Sequence, residues 1–294
     1  MTAPGIDVSK WQGTFSWPQI KADGYQFAFA KATEGAAAPS VSNSDAISRF
    51  ALDPRAYANW AAAKAARVVR GFYHFARPDL GNPALTEARW FLEVIRRAGG
   101  LQPGDLLALD FEPPGSRDYN LWVKTWLSFV HQQVGFWPFL YSFRAGFHGF
   151  PGTRYNLSFA GTGGQAGLWL SYPDAKTFPA PVGGWPFVAI WQGPAGPLSG
   201  ISGNFDHDVF AGDLTQLSKY GKPAAKPAPT PPPLPVPVPP PPPPPPPPGP
   251  PVPVPVPPPS PPPPAPQPQY EPQTLLDWLR RLLDILISQL GGKK

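Results

Sequence analysis

Leu106-Leu107-Ala108-Leu109-Asp110-Phe111-Glu112-Pro113-Pro114-Gly115 is an apolar run too short for a helix, interrupted at alternate late positions by carboxylates and closed by Pro-Pro-Gly. It reads as a β-strand over Leu106–Glu112, because strand side chains alternate between faces. Leu107, Leu109 and Phe111 then share one face, toward covering helices, while Ala108, Asp110 and Glu112 share the other, toward a lumen. The two carboxylates point the same way, ~7 Å apart at the backbone. Proline cannot continue the ladder, so the pair sits at the strand's C-terminal end. In barrels of parallel strands that end carries the active site.

Further candidate strands lie at Gly5–Val8, Tyr25–Lys31, Val68–Phe75, Pro138–Ser142, Gly167–Ser171 and Phe187–Trp191. Helix-compatible stretches fall between several of them: Asp45–Phe50, Ala56–Ala66, Thr86–Ala98 with Trp90, Phe91, Val94 and Ile95 on one face, and Tyr119–Val134. Alternating strand and helix predict an α/β fold with a mainly parallel sheet, and seven or eight strands predict closure into a single-domain, TIM-barrel-like β/α barrel. The half after Phe136 is poorer in helix, so the barrel is expected to be irregular.

Composition divides the 294 residues into three parts: 1–218, mixed sequence of a size for one domain; 219–270, a proline-rich linker; and 271–294, with the pattern of an amphipathic helix. Most of the 49 prolines fall between Pro223 and Pro272. Such a stretch is expected to be disordered polyproline II, a spacer reaching on the order of 140 Å if straight. Beyond it, Leu275, Leu279, Leu282, Leu286 and Leu290 recur at helical spacing opposite Asp277, Arg280, Arg281 and Asp284, so that helix needs a partner for its apolar face. Self-association is the first expectation and lying on an envelope the second.

Several classes are excluded or disfavoured. With no cysteine there is no disulfide scaffold, thiolate nucleophile or thiolate metal site. The net charge of +5 divides into +1 over residues 1–218 and +4 over 219–294, so no basic face for nucleic acid is expected on the folded part. No apolar run approaches ~18 residues, so no spanning helix is expected. The start of the sequence lacks a signal-peptide pattern. The four histidines are scattered, and no metal or cofactor is expected. Eleven tryptophans suit both a large core and a sugar-stacking cleft.

Two carboxylates in a confined site cannot both ionise cheaply, so one becomes a proton donor near neutral pH while the other stays charged. Glycosidic cleavage needs that combination. The pair alone is equally compatible with a solvated acidic edge or a cation site. Other polar residues, however, gather at strand ends: Asp7 at the first, Lys31 at the second, Tyr73 and His74 at the third, and Asp206 late in the chain.

Five motifs in order, Gly5-Ile6-Asp7-Val8-Ser9-Lys10-Trp11-Gln12, Lys31-Ala32-Thr33-Glu34-Gly35, Gly71-Phe72-Tyr73-His74-Phe75, Leu109-Asp110-Phe111-Glu112 and Asp206, resemble those of glycoside hydrolase family 25 over roughly residues 4–214. These are lysozymes that cut the β-1,4 bond between N-acetylmuramic acid and N-acetylglucosamine in peptidoglycan. The resemblance implies Glu112 as proton donor, Asp110 as its charged assistant orienting the substrate acetamido group, and Asp7 and Asp206 completing the acidic site. Tyr73, Lys31, Trp191, Tyr141 and Trp169 are the expected substrate contacts. Where the family often has Asp-x-Asn, this chain has Asp206-His207-Asp208; by position Asp206 is the site residue. The lack of a signal-peptide pattern suits a phage endolysin, expected to be made in the host bacterial cytoplasm and to act on the wall after release. A virion-associated lytic protein, a non-catalytic peptidoglycan-binding module and a chitin-cutting barrel are the alternatives.

Overall fold

The computed structural model describes residues 1–36, 52–199 and 201–224. The expected helix at Asp45–Phe50, the proline-rich linker beyond residue 224 and the terminal amphipathic helix lie outside the described residues.

Seven strands run parallel in chain order: β1 (Ala3–Val8), β2 (Phe27–Glu34), β3 (Val69–Phe75), β4 (Leu106–Asp110), β5 (Phe139–Phe143), β6 (Leu168–Ser171) and β7 (Ile190–Gln192). The eighth stave is a long strand, Ile201–Phe210, antiparallel to both β7 and β1, and it closes the barrel. A short strand, β8 (Gly196–Leu198), folds back on the start of that stave, which is therefore β9. Helices α1 (Trp17–Ala22), α2 (Ala56–Ala65), α3 (Ala84–Arg97) and α4 (Asn120–Val134) separate the early strands. After β5 the described connections are loops with one 3₁₀ turn, Arg144–Gly146, until α5 (Leu214–Leu217). The barrel is irregular for this reason, as its helix-poor second half predicts.

Local chemistry explains the boundaries. Ser16 accepts from the Gln19 N–H at the start of α1, with Pro18 in the first turn. Gly135, left-handed at φ 84°, ends α4. Strand β4 ends at Asp110, two residues before the expected Glu112, because Pro113 and Pro114 have no N–H for the ladder. The Phe111 N–H still bonds the Tyr141 carbonyl at 2.9 Å, so the chain stays extended long enough for the parity argument to hold.

The two faces separate as the alternation requires. Leu107, Leu109 and Phe111 pack outward with Phe72, Phe91, Val123 and Trp126 in the layer between sheet and helices. Leu106 and Ala108 pack inward with Phe27, Phe29, Phe139, Trp169 and Phe210, which fill the lumen as a core rather than a pore. Phe29 stacks on Trp169 with ring centroids 4.6 Å apart. It fits only because residue 71 on the neighbouring strand has no side chain; a Cβ there would lie 2.4 Å from its ring.

Toward the other end of the barrel, on the outer face of the sheet, lies a buried ion pair. Arg70, at the start of β3, donates Nε and Nη2 to the two oxygens of Asp105, just before β4, at 2.8 and 2.9 Å. Its Nη1 reaches the Trp60 carbonyl at 3.0 Å and its guanidinium lies 3.7 Å from the Trp60 ring centroid.

Candidate active site

At the C-terminal ends of the parallel strands a cleft of about 230 Å³ opens to solvent. Successive staves contribute Asp7 from β1, Lys31 from β2, Tyr73 and Phe75 from β3, Asp110 from β4 with Glu112 just past it, Tyr141 from β5, Trp169 from β6, Gln192 from β7 and Asp206 from β9. Ser9, Trp11 and Gln12, in the turn after β1, form its lip.

Strand geometry sets the floor. Asp7 and Asp206 are register partners on the antiparallel β1–β9 pair, which brings their carboxyls side by side. Asp208, two residues on, faces the same way but lies deeper: it is 1% exposed and accepts the Trp169 indole N–H at 2.9 Å. Asp206 therefore faces the cleft and Asp208 the core beneath it. Asp110 is buried, and its Oδ1 has no hydrogen-bond donor. Glu112 is less enclosed.

Electrostatics follow from this crowding. Burial, then the Glu112 charge, hold the Asp110 carboxyl well above the usual range, with Lys31 partly opposing. Burial also raises Glu112, against hydrogen bonding by Asp110 and Tyr141 that favours its charged form. Asp7 is raised well above its usual value by burial and by Asp206. Asp206 is raised by burial. The cleft thus retains protons at pH values where isolated carboxyls are ionised.

Lys31 is the cation within this acidic set. Its ammonium pairs with Glu34 at 2.6 Å and lies 4.5 Å from the Phe75 ring centroid. The lip is equally defined: Ser9 and Gln12 cap each other, and the Lys10 N–H bonds Asp53 Oδ2 at 2.9 Å. This holds Trp11 outward, 80% exposed at the mouth.

Of the nine residues expected at the site, eight line the cleft: Asp7, Lys31, Tyr73, Asp110, Glu112, Tyr141, Trp169 and Asp206. Trp191 does not. On β7, Ile190 and Gln192 face inward, so parity turns Trp191 outward, where its indole N–H bonds the Tyr172 carbonyl at 3.0 Å and its ring meets Phe178 edge-on. That expectation is corrected: Gln192 occupies the place given to Trp191. The sequence reading also passed over Ser9, Trp11 and Gln12, although they stand inside a quoted motif, and Phe75. His74 lies on the outer face, away from the cleft, buried between Thr33 and Glu87 at 2.7 and 2.8 Å.

Residues 6–194 match the family described as glycosyl hydrolases family 25. Lysozyme M1 of Streptomyces globisporus is 29% identical over 229 residues, covering 72% of this chain and 69% of that protein. An N,O-diacetylmuramidase of Chalaropsis sp. is 28% identical over 219 residues, covering 69% of this chain and 93% of its own length. Among solved structures, a family 25 lysozyme from Aspergillus fumigatus superposes with a TM-score of 0.59 at 27% identity, over 76% of this chain and all (100%) of that one. The chain belongs to glycosyl hydrolase family 25 and is a glycoside hydrolase.

Proposed function

We infer that the protein is a muramidase, hydrolysing the β-1,4 bond between N-acetylmuramic acid and N-acetylglucosamine in peptidoglycan. The observation that carries this reading is the set of four carboxyls, Asp7, Asp110, Glu112 and Asp206, at one barrel mouth, all with raised proton affinity. The muramidase relatives supply the substrate class.

Glu112 is the proton donor: it stands past the strand end, less enclosed than Asp110, where a leaving oxygen can approach. The more deeply buried Asp110 holds a proton more tightly than Glu112. A substrate acetamido N–H donating to Asp110 would favour its charged form and leave the shared proton on Glu112. Asp110 then orients the acetamido group, while Asp7 and Asp206 supply negative charge near the oxocarbenium-like transition state. Trp11 and Tyr73 offer flat faces to the sugar rings.

Purified peptidoglycan digested by the full chain, then reduced, is expected to yield reduced muramic acid. New glucosamine ends, or new amino groups without reducing ends, would reject the reading. Glu112→Gln is expected to lower kcat by about 10²–10⁴-fold with the fold retained; full turnover would sink the donor assignment. Self-association through residues 271–294 is a proposal from their apolar periodicity in the sequence, and sedimentation with and without residues 270–294 tests it.

A further inference from the structure

We propose that Gln192 is a positioning residue for this reaction: its carboxamide holds Asp7 in place as a charged carboxylate, and Tyr141 in turn fixes which way the carboxamide faces. The inference rests on the muramidase reading only for the identity of the bond that is cut.

Gln192 is 7% exposed and bridges staves that are not neighbours. Its Nε2 donates to Asp7 Oδ2 at 2.7 Å, and its Oε1 accepts from the Tyr141 hydroxyl at 2.8 Å. With Asp7 ionised, donor and acceptor chemistry allows one arrangement. An ionised Asp7 can only accept, so the amide nitrogen must face it. The amide oxygen then faces the Tyr141 hydroxyl, which lies 2.8 Å away and can donate to it. A flipped amide would set oxygen against carboxylate at one end. One amide thus ties β1 to β5 through β7, and fixes the Asp7 carboxyl plane in the floor of the cleft.

The surroundings explain why Asp7 needs this partner. The groups that face it are Asp206 and Asp208 from β9, Tyr73 from β3, Asp110 and Glu112 from β4 and Tyr141 from β5. The carboxyls among them oppose a charge on Asp7, as does its own burial, while the Gln192 N–H favours one. A charge-assisted hydrogen bond of this kind is among the stronger ones a neutral side chain can offer.

The experiment is the pH profile of kcat/KM on purified peptidoglycan for the full chain and three variants, each checked by thermal melting. The acid limb reports groups that must be ionised in the free enzyme. Gln192→Leu keeps the bulk and removes both hydrogen bonds. Its acid limb is expected to move to higher pH, with kcat/KM near neutrality down about tenfold. Tyr141→Phe is expected to move the same limb in the same direction, and because it also removes the Tyr141 hydrogen bond to Glu112 it is read only beside Gln192→Leu. Gln192→Glu is expected to be impaired near neutrality and to recover as the pH falls, because a protonated Glu regains a donor for Asp7. A folded Gln192→Leu whose limb stays in place overturns the proposal, as does a Gln192→Glu enzyme whose deficit is the same at every pH. If Gln192→Leu does not fold, the pH dependence of Gln192→Glu decides. Product ends are analysed in parallel: unexpected ends from the wild type would overturn the muramidase reading, while the limb shift would still decide the role of Gln192.

Discussion

Replacing Asp105 by Asn tests whether the barrel's stability and its chemistry reside at opposite ends. Asp105 accepts three donors: Arg70 Nε at 2.8 Å, Arg70 Nη2 at 2.9 Å and the Gln102 N–H at 2.6 Å. Both members of the pair are buried, at 6% exposure each, so solvent does not screen the interaction. Asn has nearly the same shape, but it carries no charge and turns an N–H toward a guanidinium that can only donate. Arg70 keeps the Trp60 carbonyl and ring. Removing one partner of a buried pair costs about 3–5 kcal/mol, and the retained Trp60 contacts place this case near about 3 kcal/mol. For a domain of this size each kcal/mol lowers Tm by about 2–4 °C, so a fall of about 6–12 °C is expected. The assay pairs thermal melting with initial rates measured well below the transition. Activity per folded molecule is expected to stay within about twofold, because the cleft lies at the other strand ends. A Tm within about 2 °C of wild type would refute the energetic argument. A large loss of turnover in fully folded protein would refute the separation of the two ends.

Three further substitutions test the site. Asp208→Asn keeps the acceptor for the Trp169 indole but removes a carboxyl that burial and Asp7 hold well above its usual proton affinity. The folded protein binds that proton more tightly than the unfolded chain, so the wild type loses stability as pH rises above the ordinary carboxylate range. The variant should therefore melt higher at neutral pH, with the gain vanishing as pH falls below about 4, and should retain activity; a lower melting temperature at neutral pH would count against a strained buried carboxyl. Trp11→Ala, at an 80% exposed position on the lip, should raise KM about tenfold with Tm unchanged, whereas Trp191→Phe should leave KM within about twofold; the reverse pattern in binding assays would show that the cleft has been drawn on the wrong face of β7.

Much of the site was legible because its chemistry coincides with strand parity. Asp110 and Glu112 could be turned into the lumen from their spacing alone, since a period of two needs no knowledge of neighbouring strands. Trp191 entered only through the family resemblance, and parity on β7 turns Ile190 and Gln192 inward and Trp191 outward. The last stave escaped notice for a different reason. In β9 the inward positions near the mouth are Asp206 and Asp208 while Phe205 packs outward, the inverse of the usual pattern of apolar inside and polar outside.

The sequence by itself determined the α/β alternation, the acidic pair at the end of the fourth strand, the apolar strand middles and the ordered motifs of the family, because each depends on local period or on residue type at short range. Tertiary structure alone decided that an antiparallel stave closes the barrel, that Asp206 stands beside Asp7 with Asp208 beneath, and that Gln192 joins Asp7 to Tyr141 across the mouth. These are contacts between residues up to 199 positions apart, Asp7 to Asp206. Their physical cause is barrel closure, which brings the first strand against the last and fixes which side chains share one small, partly dry space.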